Sequence, residues 1–154
     1  MAKTNFDSIE LGRLIETKAI KVQITSAQLL ALNATPISIV EAPGAGKTVV
    51  FKGAIVHKPA GTAYAGVAGG EDLAIKYTDG SGAQVNTSLE TTGFLDQTTA
   101  QKRLTRPIVT EYTPVENAAL VMQLLTGEIT TGNSPLYVTI QYEIWRDTTD
   151  APVS

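Results

Sequence analysis

The segment Ala42-Pro43-Gly44-Ala45-Gly46-Lys47-Thr48 carries the residue types of a phosphate-binding loop. In such a loop the glycine amides curl around a phosphate and a lysine reaches its oxygens. A helix then begins at once and points its amide-rich end at the anion. Two of these requirements fail here. The position that should hold the first glycine is Glu41, whose carboxylate repels phosphate. The following residues, Val49-Val50-Phe51-Lys52-Gly53-Ala54-Ile55-Val56, form a β-branched and aromatic run that predicts a strand. The segment reads as a Pro-Gly turn between two strands.

The remaining chemistry-bearing residues are sparse. His57 is the single histidine, at the end of a predicted strand beside Lys58 and Pro59, with no orienting carboxylate in its pattern. A serine nucleophile needs such a base held by a third group, and a zinc site needs several ligands at set spacings. Glu71 or Asp72 with Glu111 or Glu143 would suit glycoside hydrolysis if they faced each other across a cleft, but carboxylates in this number are ordinary for a solvated surface. Asp79-Gly80-Ser81-Gly82 lacks the spaced acids and distal Glu of a calcium loop and reads as a turn. Asn33-Ala34-Thr35 and Asn86-Thr87-Ser88 match the glycosylation pattern, yet Met1 to Ser8 shows no apolar secretion signal. Tyr64, Tyr77, Tyr112, Tyr137 and Tyr142 with Trp145 would line a sugar-binding face if exposed in a row, although most fall at core or strand-edge positions. The sequence therefore predicts no catalytic residue, no cofactor and no metal.

With 154 residues, 43% of them hydrophobic, the chain suits one domain with its own core. Its net charge of −3 and the absence of clustered cations argue against a nucleic-acid partner. The local group Lys102, Arg103 and Arg106 is expected at the end of a short helix, where cations oppose the negative pole of the dipole. No apolar stretch is long enough for a membrane span, so a soluble protein made in the cytoplasm is expected. Zero cysteines leave packing and subunit association as the sources of stability.

Threonine, valine and isoleucine are abundant, and 13 Gly and 7 Pro punctuate the chain, a mixture that favours strands and turns. Residues 1–16 carry Phe6, Ile9, Leu11, Leu14 and Ile15, with Gly12 interrupting any helix; this segment is expected either to form an ordered flank of the core or to dock as an arm on a neighbour. From Lys18 onward Ile20, Val22 and Ile24 alternate with polar residues, which predicts a half-buried strand. Thr25 or Ser26 caps a helical turn over residues 27–32, and a strand is expected over 36–40 and a long one over 47–57. Residues 59–70 read as a surface loop, 73–77 and 83–89 as a hairpin, and 93–103 as a turn and short polar helix. Leu120, Met122 and Leu124 mark a strand, a loop spans 126–135, and the last strand has Leu136, Val138, Ile140, Tyr142 and Ile144 on one face. The tail after Arg146 is polar. About seven or eight strands without strand-helix alternation predict an all-β fold, an antiparallel β-sandwich or jelly roll with one or two short helices over residues 17–146.

Residues 25–37 (Thr-Ser-Ala-Gln-Leu-Leu-Ala-Leu-Asn-Ala-Thr-Pro-Ile) and the later Ala42-Pro43-Gly44-Ala45-Gly46-Lys47 occur in the order seen in small structural proteins of tailed-bacteriophage virions. Asp72 to Gly80 and Gly132 to Tyr142 are similar to the later strands of that pattern, so the chain resembles this family over about residues 20–145. The resemblance implies a non-enzymatic virion component, foremost a head decoration or cement protein on the outer capsid surface. Its partners would be the major capsid protein and copies of itself, often as a homotrimer. Neck, tail or baseplate subunits belong to the same family. From a different class, a carbohydrate-binding β-sandwich is the competing reading. Phe6, Ile9, Leu11 and Leu14 are the expected partner contacts.

Overall fold

The computed structural model describes residues 14–67 and 69–146. Phe6, Ile9 and Leu11, and the tail over 147–154, lie outside them. The fold is all-β and sandwich-like, with one short helix among the described residues. Strand β1 (Ile15–Ile24) leads to α1 (Ser26–Leu30) and β2 (Ile37–Val40). Then follow β3 (Lys47–Lys58), β4 (Tyr64–Ala65), β5 (Leu73–Tyr77) and β6 (Gln101–Thr105). The chain closes with β7 (Leu120–Leu124), β8 (Thr130–Thr131) and β9 (Leu136–Arg146). A four-stranded sheet has the order β1-β9-β3-β6, a three-stranded sheet the order β2-β7-β5, and β4 pairs with β8. All pairings are antiparallel.

The two larger sheets share one core. Val49, Phe51, Ala54 and Val56 of β3 and Leu136, Val138 and Ile140 of β9 meet Leu73, Ile75, Tyr77, Leu120, Met122 and Leu124 from the smaller sheet. The buried Tyr77 hydroxyl crosses between the sheets and donates to the Val49 carbonyl oxygen at 2.5 Å. Tyr64, equally buried, donates to the Ser134 carbonyl oxygen at 2.5 Å and thereby holds β4 and β8 against the start of β9. Thr25 caps α1 in a reciprocal box, its hydroxyl accepting from the Gln28 amide while the Gln28 side chain accepts from the Thr25 amide.

β1 starts three residues before the expected Lys18, because β9 extends far enough for Trp145 to pair with Ile15. The short polar helix expected from a capping Asp96 through Arg103 is absent. Residues 92–96 form a turn, and Gln101–Thr105 is the edge strand β6, paired with β3 from Ala54 to Lys58. Lys102 and Arg103 therefore sit on a strand, with Arg106 just past its end, and no helix dipole is involved. Arg103 lies over the Phe94 ring and donates to the Gly93 carbonyl, so a charged residue fills an inner-face position. The return limb of the hairpin over 83–89 makes only isolated bridges, Lys76 with Gln84 and Leu73 with Leu89. Between them the fully buried Asn86 side chain accepts the Ile75 amide at 2.7 Å, so a side chain replaces part of the backbone ladder. The loops over 59–70 and 126–135 each contribute a two-residue strand, which brings the described residues to nine strands.

Candidate interaction surface

The phosphate-loop look-alike is closed from within. Gly44 and Gly46 adopt positive φ, and their amides point at acceptors of the same chain: Gly44 N donates to Asn117 Oδ1 at 2.9 Å and Gly46 N to Glu116 Oε1 at 2.6 Å. The amides that would hold a phosphate thus pin the turn to the loop before β7, and Lys47 enters β3 rather than a helix. His57 lies on β3 with its ring 6.3 Å from that of Tyr137, and no carboxylate lies within ion-pair distance of it among the described residues. Glu143 is on β9, engaged by Trp145 Nε1 at 2.7 Å and by Lys52 at 3.8 Å, whereas Glu71 and Asp72 precede β5 of the other sheet. Among the described residues no three His, Asp or Glu side chains are grouped to hold a metal.

Asp79-Gly80-Ser81-Gly82 forms a turn in which Asp79 Oδ1 accepts the Ser81 amide. Asn86 is buried in the ladder and Asn33 donates to the Leu124 carbonyl, so both glycosylation-like asparagines have structural partners. Tyr64, Tyr77 and Tyr142 are buried in the core, which leaves them out of any sugar-binding row. Burial pushes the Tyr64 hydroxyl up to about 12. It also raises Tyr77, whose neighbour Tyr112 adds to the effect.

The outer face of the four-stranded sheet carries an open groove. Strand register aligns it in rows: Thr17, Glu143 and Val50; then Ala19, Gln141 and Gly53; then Lys21, Thr139, Ile55 and Leu104. Lys52 is a bulged residue, with Phe51 opposite Tyr142 and Gly53 opposite Gln141. The bulge turns Lys52 outward and leaves only the small Ala19 and Gly53 beside Gln141. The result is a groove of about 590 Å³ across β1, β9, β3 and β6. Its apolar lip is a cross-strand pair, Ile55 and Leu104, that are 47% and 55% exposed. Lys52 and Arg106 add positive charge, and Arg106 has no acidic partner among the described residues.

The sheet also ends on a free edge. β1 pairs with β9 along all ten of its residues and, among the described residues, has no partner on its other side. Such an edge presents unpaired amides and carbonyls to another chain, and Lys18 and Lys21 on it discourage indiscriminate pairing. Leu14 of the expected contact set is half-buried just ahead of β1; the structure gives no placement for Phe6, Ile9 and Leu11. The groove joins four distant segments and has no local sequence signature. Its one readable sign is the change of phase on β3, where inward positions run Val49, Phe51 and then Ala54, Val56.

Comparison of the chain with protein-family models, with curated proteins and with solved structures gives no match.

Proposed function

We propose that this chain is a non-enzymatic structural protein of a tailed-bacteriophage virion, a head decoration protein that binds the outer surface of the major capsid lattice as a homotrimer. The observation that carries the reading is the outer face of the four-stranded sheet. There a ten-residue edge with no partner strand among the described residues, a groove floored by small residues and the exposed Ile55 and Leu104 offer a protein-sized contact surface. The order of turns and strands that resembles virion proteins supports it further, and the chemistry-bearing side chains described above are engaged in the scaffold itself.

The mechanism is linkage. A protein that binds the assembled shell and not its free subunits raises the free energy of disassembly, by about 2.7 kcal/mol per site at a hundredfold excess over Kd. Repetition across a lattice lets modest single contacts suffice, since a trimer engages several capsid subunits at once. Immunogold electron microscopy of intact particles tests the assignment. Gold over the head shell supports it. Gold confined to the neck, tail or baseplate reassigns the chain within the virion, and particles without the protein overturn the reading.

A further inference from the structure

We infer that the groove on the outer sheet face receives residues 6–11 of a neighbouring copy of this chain, so that copies are tied together by exchanged N-terminal arms. The inference deepens the self-association part of the proposed function and rests on it.

Chemistry matches the segment to the groove. In an extended segment over residues 6–11, the apolar Ile9 and Leu11 share one face with the acid Asp7, while Phe6 and Glu10 face the other way. The groove offers the apolar pair Ile55 and Leu104 beside Arg106, which has no acidic partner among the described residues, and Lys52, whose ammonium lies 3.8 Å from Glu143. The floor at Ala19 and Gly53 lacks bulky side chains, which lets an extended segment lie close to the sheet.

Reach decides between a copy's own arm and a neighbour's. The row holding Ile55 and Leu104 aligns with Lys21, seven residues along β1 from Leu14, which is about 23 Å at strand rise. Leu104 is also three strands across, about 14 Å at ordinary strand spacing, so the straight path from Leu14 is about 27 Å. Ile9 stands five residues before Leu14 and reaches at most about 18 Å when fully extended, and Leu11 reaches about 11 Å. Phe6, eight residues before Leu14, spans at most about 29 Å and could just touch the lip of its own groove, but Ile9 and Leu11 cannot reach Leu104 from there, so an arm arriving from another copy is what brings Ile9 against Leu104. Exchange of identical segments between copies is a common route to closed oligomers.

The absence of native cysteine makes the contact readable by disulfide trapping. Full-length Ile9→Cys and full-length Leu104→Cys chains, carrying tags of different mass, are mixed and oxidised, with Ile55→Cys as a second groove position should Leu104→Cys fail to fold. The expected result is a mixed disulfide at least fivefold more abundant than either like-with-like product. Adding Arg106→Glu to the groove chain should cut it several-fold, and Asp7→Lys on the arm chain should restore it. Equal yields of mixed and like products overturn the inference, as does a chain bearing both cysteines that closes on itself as a monomer. Either failure concerns contacts between copies and leaves the labelling of particle heads as a separate result.

Discussion

Replacing Tyr77 with Phe removes one oxygen from the centre of the molecule and leaves the ring in place. The lost hydrogen bond joins the two sheets, from the Tyr77 hydroxyl to the Val49 carbonyl at 2.5 Å, and both residues are fully buried. A buried carbonyl left without a donor costs about 1–3 kcal/mol, so Tyr77→Phe should unfold at lower urea concentration with an unchanged m-value. Alkaline pH gives the same substitution a second signature. Burial raises the folded-state pKa of Tyr77 above the ordinary tyrosine value of 10.0, and Tyr112 adds to the rise. Above pH 10 the unfolded chain therefore loses a proton that the folded chain keeps, and stability falls with rising pH until the folded pKa is passed. The phenylalanine variant lacks that loss. Its deficit at pH 7 should shrink by roughly 1 kcal/mol at pH 11, one unit past the unfolded value. Urea titrations of both proteins at pH 7 and pH 11 measure this directly. A deficit under about 0.5 kcal/mol at pH 7, or a gap independent of pH, would refute the inter-sheet role assigned to the hydroxyl.

Three further substitutions probe other parts of the scaffold. A Cβ at Gly82 would lie 1.7 Å from the Tyr77 carbonyl oxygen, so Gly82→Ala must displace the hairpin and should cost more than about 2 kcal/mol by chemical denaturation; a loss near zero would show that the turn yields freely. Thr25→Ala opens the reciprocal cap of α1 and should cost about 1 kcal/mol, with Thr25→Ser recovering most of it in the same assay. Lys58 is buried with its ammonium on the Pro59 and Gln97 carbonyls, and burial lowers its pKa. Since the unfolded chain holds that proton more tightly, the parent should gain stability on Lys58→Met as pH rises from 7 towards 10.5, a trend readable in paired melts; a gap that widens in favour of methionine contradicts it.

Strands whose two faces meet different surroundings were legible from the residues alone. In β1 and β9 the apolar and polar positions alternate, and the burial pattern of β9 follows that alternation from Leu136 to Tyr142. The cap at Thr25 and the turn at Asp79 also lie within a few residues of their partners and so leave local signals. β6 left none. Its inward positions are Gln101, Arg103 and Thr105, made tolerable by Phe94, Gly93 and Asn86 from elsewhere in the chain, so its composition looks like that of a polar helix. Asn86 is a similar case, since a turn-forming residue type sits fully buried because the Ile75 amide requires an acceptor there. The groove was illegible for a different reason: Ala19, Gln141, Gly53 and Leu104 become neighbours only through the register of four strands.

The central claim is that this β scaffold acts by gripping an assembled shell. Heat-induced genome release from phage particles stripped of the protein, and from the same particles refilled with the purified chain, tests that claim most directly. The account predicts a saturable rise in release temperature that levels off when the lattice sites are filled. Particles that take up no protein, or that release their genome at an unchanged temperature once filled, would contradict it.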